Sequence, residues 1–153
     1  MSVLELKIPP PVVGLLTAAL MYGASRALPE AAIAIPLRVV WAVMLAAAGL
    51  AIDLSALLAF RRHRTTVNPL SPQRASRIVT SGVYRFTRNP MYLGMLLLLT
   101  AWAVVQGNAA AFLGLPLFVL YITAFQIQPE ERVLSAQFGA PYLQYLQQVR
   151  RWI

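Results

Sequence analysis

The sequence predicts an all-α, polytopic membrane protein with about four transmembrane helices, two of them a hairpin in the C-terminal half, plus short cytoplasmic amphipathic helices. Three observations point there. Of 153 residues, 59% are hydrophobic and only 12% are charged, whereas soluble domains carry about 25% charged residues; the chain cannot cover an ordinary hydrated surface. The apolar residues gather in four stretches. The remaining charge is lopsided, with 13 Lys and Arg against 5 acids, a net charge of +8.

In a soluble chain that excess would suggest nucleic acid. Between apolar stretches it reads instead as a topology signal and as attraction for anionic lipid or cofactor phosphate at a membrane face, so membrane lipids are expected partners and nucleic acid is not. The lack of cysteine excludes disulfides, thiolate metal sites and Cys nucleophiles. With His63 the one histidine, a zinc site of several imidazoles is also unsupported, and no metal is expected. The length suits one domain over residues 1–153.

The first apolar run, Pro11 to Ser25, has the length of a signal-peptide core. Only Lys7 precedes it, beside Glu5, and no small-x-small cleavage site follows, so it reads as a membrane helix over about residues 11–28. The second run, Ile35 to Phe60, exceeds the roughly 20 residues that cross hydrocarbon and predicts a tilted helix over 35–60, with Arg38 near its start and Asp53 inside. Residues 61–90 form a polar loop; between Arg61 and Met91 stand seven arginines and no acid. Hydrophobicity returns from Tyr92 to Val105, breaks at Gln106-Gly107-Asn108 and resumes from Ala109 to Ile127. This predicts helices over 91–106 and 109–127 joined by a Gly-Asn turn, the second kinked at Pro116.

Beyond Gln128 the chain turns polar, and short cytoplasmic helices are expected over 129–153, one opened by Pro129-Glu130-Glu131 and another by Pro141 behind Gly139. Tyr142, Tyr145, Leu146, Val149 and Trp152 recur at three- and four-residue spacing, the pattern of an amphipathic helix lying on the membrane surface or against the domain. Four crossings place the N-terminus, the basic loop and the C-terminal segment on one side. That side holds eleven of the thirteen Lys and Arg residues, and only Arg26 and Arg38 fall on the other. The positive-inside rule then puts both termini and the loop in the cytoplasm, at the cell membrane or another cytoplasm-facing membrane.

Two constellations carry possible chemistry. In Ser81-Gly82-Val83-Tyr84, then Arg88-Asn89-Pro90-Met91-Tyr92, then Gly94, Gly82 allows a tight turn. Pro90 suits the first turn of a helix whose free N–H groups face a polar ligand, and Gly94 allows close approach to the backbone. The same residues also suit an ordinary interfacial helix start with a snorkelling arginine. The second constellation is Glu130-Glu131. Acids in a first helical turn are favoured by the helix dipole, yet two adjacent carboxylates beside an arginine-rich face also suit a cationic ligand or a site arginine. Asp53, inside an apolar run, is expected to pair with a loop arginine rather than to take a direct catalytic part, and His63 to sit in a solvated basic cluster near lipid phosphate.

Together, Arg-x-Pro-x-Tyr-x-Gly, a hydrophobic hairpin, Glu-Glu, Phe-Gly, Tyr-x-x-Tyr and Val-x-Arg, spread over Thr65 to Trp152, resemble the isoprenylcysteine carboxyl methyltransferase and phospholipid methyltransferase family of membrane enzymes. Their order and spacing carry the resemblance; each alone is weak. The resemblance implies methyl transfer from S-adenosyl-L-methionine, leaving S-adenosyl-L-homocysteine, to a lipophilic or small-molecule acceptor at the cytoplasmic membrane face, without a metal. It also implies a cofactor wall of Ser76, Arg77, Ile78, Val79, Tyr84, Asn89, Pro90, Met91 and Tyr92, with Glu130 opposite, and Arg88 holding the site together or meeting substrate. Glu131 is the candidate base if the nucleophile must lose a proton.

Two positions depart from the family pattern. The family often has histidine where Asn89 stands, and Asn cannot titrate near neutrality. Gln126, a candidate substrate contact, stands where the carboxyl methyltransferases place an arginine for the substrate carboxylate, and a neutral amide is a poor clamp for that group. A prenylcysteine carboxylate is therefore not the expected acceptor. The motifs leave the acceptor and the oligomeric state open.

Two other readings share parts of this pattern. An NADPH-dependent reductase of the sterol C14 type resembles the chain through the same Arg-x-Pro-x-Tyr-x-Gly signature, but generally has an Arg-Asp type pair where Glu130-Glu131 stand and a longer chain. A non-catalytic module binding anionic lipid through the basic loop would not need Glu130 or Tyr92.

Overall fold

Helix starts and stops follow the proline and glycine punctuation of the chain. The computed structural model describes residues 5–63 and 72–153; residues 1–4 and 64–71, the latter including Arg64 and the start of the family pattern at Thr65, lie outside the described residues. Helix α1 spans Pro10–Ala27, α2 spans Arg38–His63 and α3 spans Pro90–Gln106. A continuous helix α4 runs over Ala109–Phe138, and α5 over Ala140–Gln148. Short 3-10 turns occupy Pro29–Ala31, Pro72–Arg74 and Gly82–Arg85. Among the described residues there is no strand beyond an isolated bridge between Ala32 and Asn108.

Pro90 takes the first position of α3, where a missing N–H costs nothing. Gly107 ends that helix in the left-handed conformation at φ 58°. Asn108 then caps α4, its side chain accepting from the Ala110 N–H at 2.9 Å. Helices α2 and α4 are long and apolar enough to cross a membrane; α1 has 18 residues and α3 has 17.

The expected break after Ile127 is absent. Instead of a new helix opening at Pro129, α4 continues through a π-turn over Thr123–Ile127 into Gln128–Phe138. The reason is local: Pro129 has no N–H for the carbonyl of Phe125, one turn back, and the Leu6 N–H donates to that carbonyl at 3.1 Å. The wider π-turn and this outside donor let the helix pass the proline. Within α4 the regular α-helical pattern lapses for one residue at Leu113, three residues before Pro116.

The two connections α1–α2 and α3–α4 meet at one end. There Ile33 N–H donates to the Gly107 carbonyl at 2.8 Å, and the Asn108 amide donates to the Leu28 carbonyl at 2.8 Å. The helices therefore run up, down, up and down. Helix α1 packs on α4, where a Cβ on Gly114 would overlap Met21. Helix α2 packs on α3, where a Cβ on Gly49 would lie 2.8 Å from the Gly94 carbonyl oxygen. The main core joins Val13, Met21, Tyr92, Leu99, Phe118 and Ile122. The outer side of α2 stays bare, with Val39, Trp41, Val43, Met44, Leu50 and Leu54 all exposed, a continuous apolar surface of the kind that hydrocarbon rather than water accommodates.

Candidate functional site

At the end of the bundle opposite the two connections, the N-terminal segment, the loop before α3, the second half of α4 and α5 converge on a cavity of about 750 Å³. That is within the roughly 300–1,000 Å³ of small-molecule sites. Of the expected cofactor wall, Arg77, Ile78, Val79, Tyr84, Asn89, Pro90, Met91 and Tyr92 line it, as do Arg88, Glu130 and Glu131. Ser76 is exposed and outside the lining.

Glu130 is half-buried with its carboxylate toward the cavity, and the Tyr92 hydroxyl donates to its Oε2 at 3.0 Å. No Lys or Arg pairs with it among the described residues. Glu131, one residue on, is engaged differently. Its Oε1 lies 3.2 Å from the Arg88 guanidinium, and Arg151 donates to both oxygens, at 3.2 and 2.7 Å. Both oxygens already accept from guanidinium groups, so the carboxylate acts as a clamp; its expected place as a proton-accepting base does not match this geometry. Arg88 lies against Glu131 and, at 3.5 Å, the Leu146 carbonyl.

The clamp is reinforced by the backbone. The Arg88 N–H donates to the Arg150 carbonyl at 3.0 Å, and the Asn89 side-chain amide donates to the Arg151 carbonyl at 2.9 Å. Asn89 thus fastens the C-terminal segment to the start of α3, a task for which a neutral amide donor suffices. Hydrogen bonding to Glu131 pushes the Arg151 guanidinium further above its already high pKa.

The three-residue spacing of Tyr142 and Tyr145 puts them on one helical face but does not reveal what that face meets. Both are buried and line the cavity together with Leu134 and Phe138. The Tyr145 hydroxyl donates to the Tyr84 carbonyl at 2.7 Å, and Tyr84 stacks edge-on against Phe60 of α2 at 5.4 Å. Burial pushes the phenols of Tyr84, Tyr142 and Tyr145 well above their ordinary pKa, so all three stay neutral.

Two further expectations are corrected. Gln126 does not reach the cavity: it is fully buried, and its amide donates to the Ile8 carbonyl at 2.7 Å. The π-turn is the physical reason, because in a widened turn residues four apart no longer share the face that a regular α-helix would give them. Asp53 forms no ion pair with an arginine among the described residues. It lies against Gly94, where a Cβ would overlap its carboxylate, and lines the cavity. His63 contacts the Ser81 hydroxyl at 2.8 Å, tying the end of α2 to the motif loop.

The model of the phospholipid methyltransferase family matches residues 37–141. Among curated proteins, an uncharacterized protein of Haemophilus influenzae is 49% identical over 63 residues, which is 41% of this chain and 100% of that protein. Protein-S-isoprenylcysteine O-methyltransferases A and B of Arabidopsis thaliana are 30% and 28% identical over 95 residues, 62% of this chain and 48% of each relative. The chain thus spans about half the length of these two plant enzymes. No solved structure matches.

Proposed function

The chain belongs to the phospholipid methyltransferase family, and from that premise we propose a single-domain, multi-pass membrane enzyme that methylates a lipophilic or small acceptor at the cytoplasmic face, using S-adenosyl-L-methionine. The observation that carries the reading is Glu130: a half-buried carboxylate held by the Tyr92 hydroxyl, without a cationic partner among the described residues, in a cavity walled by the motif residues. A sulfonium or ammonium group is the complement such a site calls for.

The residues fit the cofactor. The volume suffices for a nucleoside-sized ligand, the ionised form of Glu130 would pair with the sulfonium, and the faces of aromatic residues such as Tyr84 and Tyr92 add cation–aromatic attraction of about 0.5–2 kcal/mol. Arg77, Ile78, Val79, Asn89, Pro90 and Met91 would form the rest of the wall. S-Adenosyl-L-methionine, when bound, supplies an electrophilic methyl group on sulfur. The chain's own contribution is placement and exclusion of water. Arg88, Glu131 and Arg151 hold the start of α3, the second half of α4 and the C-terminal segment together. Alignment of this kind is worth about 7–11 kcal/mol in favourable cases.

Four crossings and cytoplasmic termini agree with the up-and-down helix order and with the charge asymmetry of eleven against two. Leu50 and Leu54 line the cavity and are 58% and 57% exposed, which suits entry of a lipophilic acceptor past α2.

Calorimetric titration of the purified protein with S-adenosyl-L-methionine and S-adenosyl-L-homocysteine, and separately with NADPH, tests the reading. Saturable binding of the methionine cofactor is expected. Binding of NADPH alone would replace the proposal with the reductase reading. Glu130→Gln should weaken cofactor binding about tenfold or more, the scale of a charge-assisted contact; unaltered affinity would remove Glu130 from the site.

A further inference from the structure

Resting on the methyltransferase reading, we infer that Asp53 receives the head group of the methyl acceptor, and that this head group carries a hydrogen on its nucleophilic atom rather than being a carboxylate. The carboxylate sits within the apolar helix α2 and lines the cavity. Its Oδ1 is buried and has no hydrogen-bond partner among the described residues. An ionisable group held at such depth without a partner is costly and is retained where a ligand or a pathway needs it.

The fold makes room for this carboxylate. Gly94 of α3 faces Asp53, and a Cβ there would overlap the carboxyl group, so the close approach of α2 and α3 depends on that glycine. The three acids that line the cavity are therefore differentiated. Glu131 is taken by Arg88 and Arg151, and Glu130 accepts from Tyr92 among the motif residues. Asp53 stands apart on α2, with Leu50, Leu54 and Leu57 lining the same side of the cavity.

A hydrogen-bearing amine, thiol or hydroxyl gives Oδ1 the donor it lacks. A carboxylate acceptor would meet repulsion instead, and the candidate substrate contact Gln126 donates to Ile8 outside the cavity. Arg77 also lines the cavity, but no ion pair joins it to Asp53.

The test uses the full chain in lipid nanodiscs, titrated calorimetrically with decylamine, decyltrimethylammonium and decanoate, each with and without saturating S-adenosyl-L-homocysteine. The three probes share a tail and differ in charge and in the presence of N–H. Decylamine should bind at least about tenfold tighter than decanoate, and tighter than decyltrimethylammonium, which has charge but no N–H. Asp53→Asn, nearly isosteric, should erase most of the preference for decylamine over decanoate while leaving S-adenosyl-L-homocysteine affinity within about twofold; Asp53→Ser serves as a second variant, with a thermal melt confirming the fold of each.

Equal binding of decylamine and decanoate by the native chain would overturn the inference. So would an unchanged preference in Asp53→Asn, or a loss of S-adenosyl-L-homocysteine affinity matching the loss for decylamine, which would assign the carboxylate to the cofactor. Failure of S-adenosyl-L-homocysteine to bind the native chain would count against the methyltransferase reading, while the probe preferences measured without it still judge Asp53.

Discussion

Replacing Glu131 by Gln removes one charge that serves two arginines, and the arginines differ in their exposure. The Arg88 side chain is 11% exposed and that of Arg151 is 34% exposed. Breaking a buried ion pair by deleting one partner costs about 3–5 kcal/mol, because the other charge is left without compensation; an exposed pair is worth about 0–1 kcal/mol. Glu131→Gln strands Arg88, whose Nε already lacks a partner, while Arg151 can turn to water. The expected loss is about 3 kcal/mol, the lower end of the range because Arg88 borders the cavity. That corresponds to a drop of about 100-fold in the folded-to-unfolded ratio. Arg151→Gln, which leaves the Arg88–Glu131 pair in place, should lose less than about 1 kcal/mol. Equilibrium unfolding in mixed detergent micelles measures both. Equal losses, or a loss below about 1 kcal/mol for Glu131→Gln, would refute the view that Arg88 is the charge the clamp exists to hold.

Other outcomes follow from packing and from charge. Gly49→Ala places a Cβ 2.8 Å from the Gly94 carbonyl oxygen and 3.2 Å from the Leu97 Cβ; backbone cannot rotate away, so α2 and α3 must part and stability should fall by about 1–3 kcal/mol, and an unchanged melting temperature would contradict that contact. In this cysteine-free chain, Ser71→Cys should react with a membrane-impermeant thiol reagent only from the cytoplasmic side; labelling from outside would invert the orientation.

The helices could be read from the sequence because hydropathy and punctuation agree: Pro90 starts α3, Gly107 ends it and Asn108 caps the next helix. Most of the cavity wall was readable too, since the motif residues and Glu130 do share one cavity. What escaped depends on the rotational phase of helices and on contacts between distant segments. A regular helix puts Gln126 and Glu130 on one face, and the π-turn separates them. The Glu131–Arg151 pair spans 20 residues, and no periodicity announces it. Asp53 looked like one half of a buried ion pair because the cost of its charge demands company, but the sequence does not reveal that Gly94 admits it beside the cavity instead.

The close contact of Gly49 with Gly94 works as a ruler. Along α2 the cavity lining runs from Leu50, next to that contact, to Phe60, a helical rise of about 15 Å, or about half of a 30 Å hydrocarbon layer. Where the two backbones touch, nothing can pass between them, so a molecule lodged against α2 is measured from that point. For an acceptor of the proposed kind, the length of the hydrocarbon tail would then matter only up to what this stretch can cover. Any additional carbons would remain among the lipids, leaving discrimination to the head group.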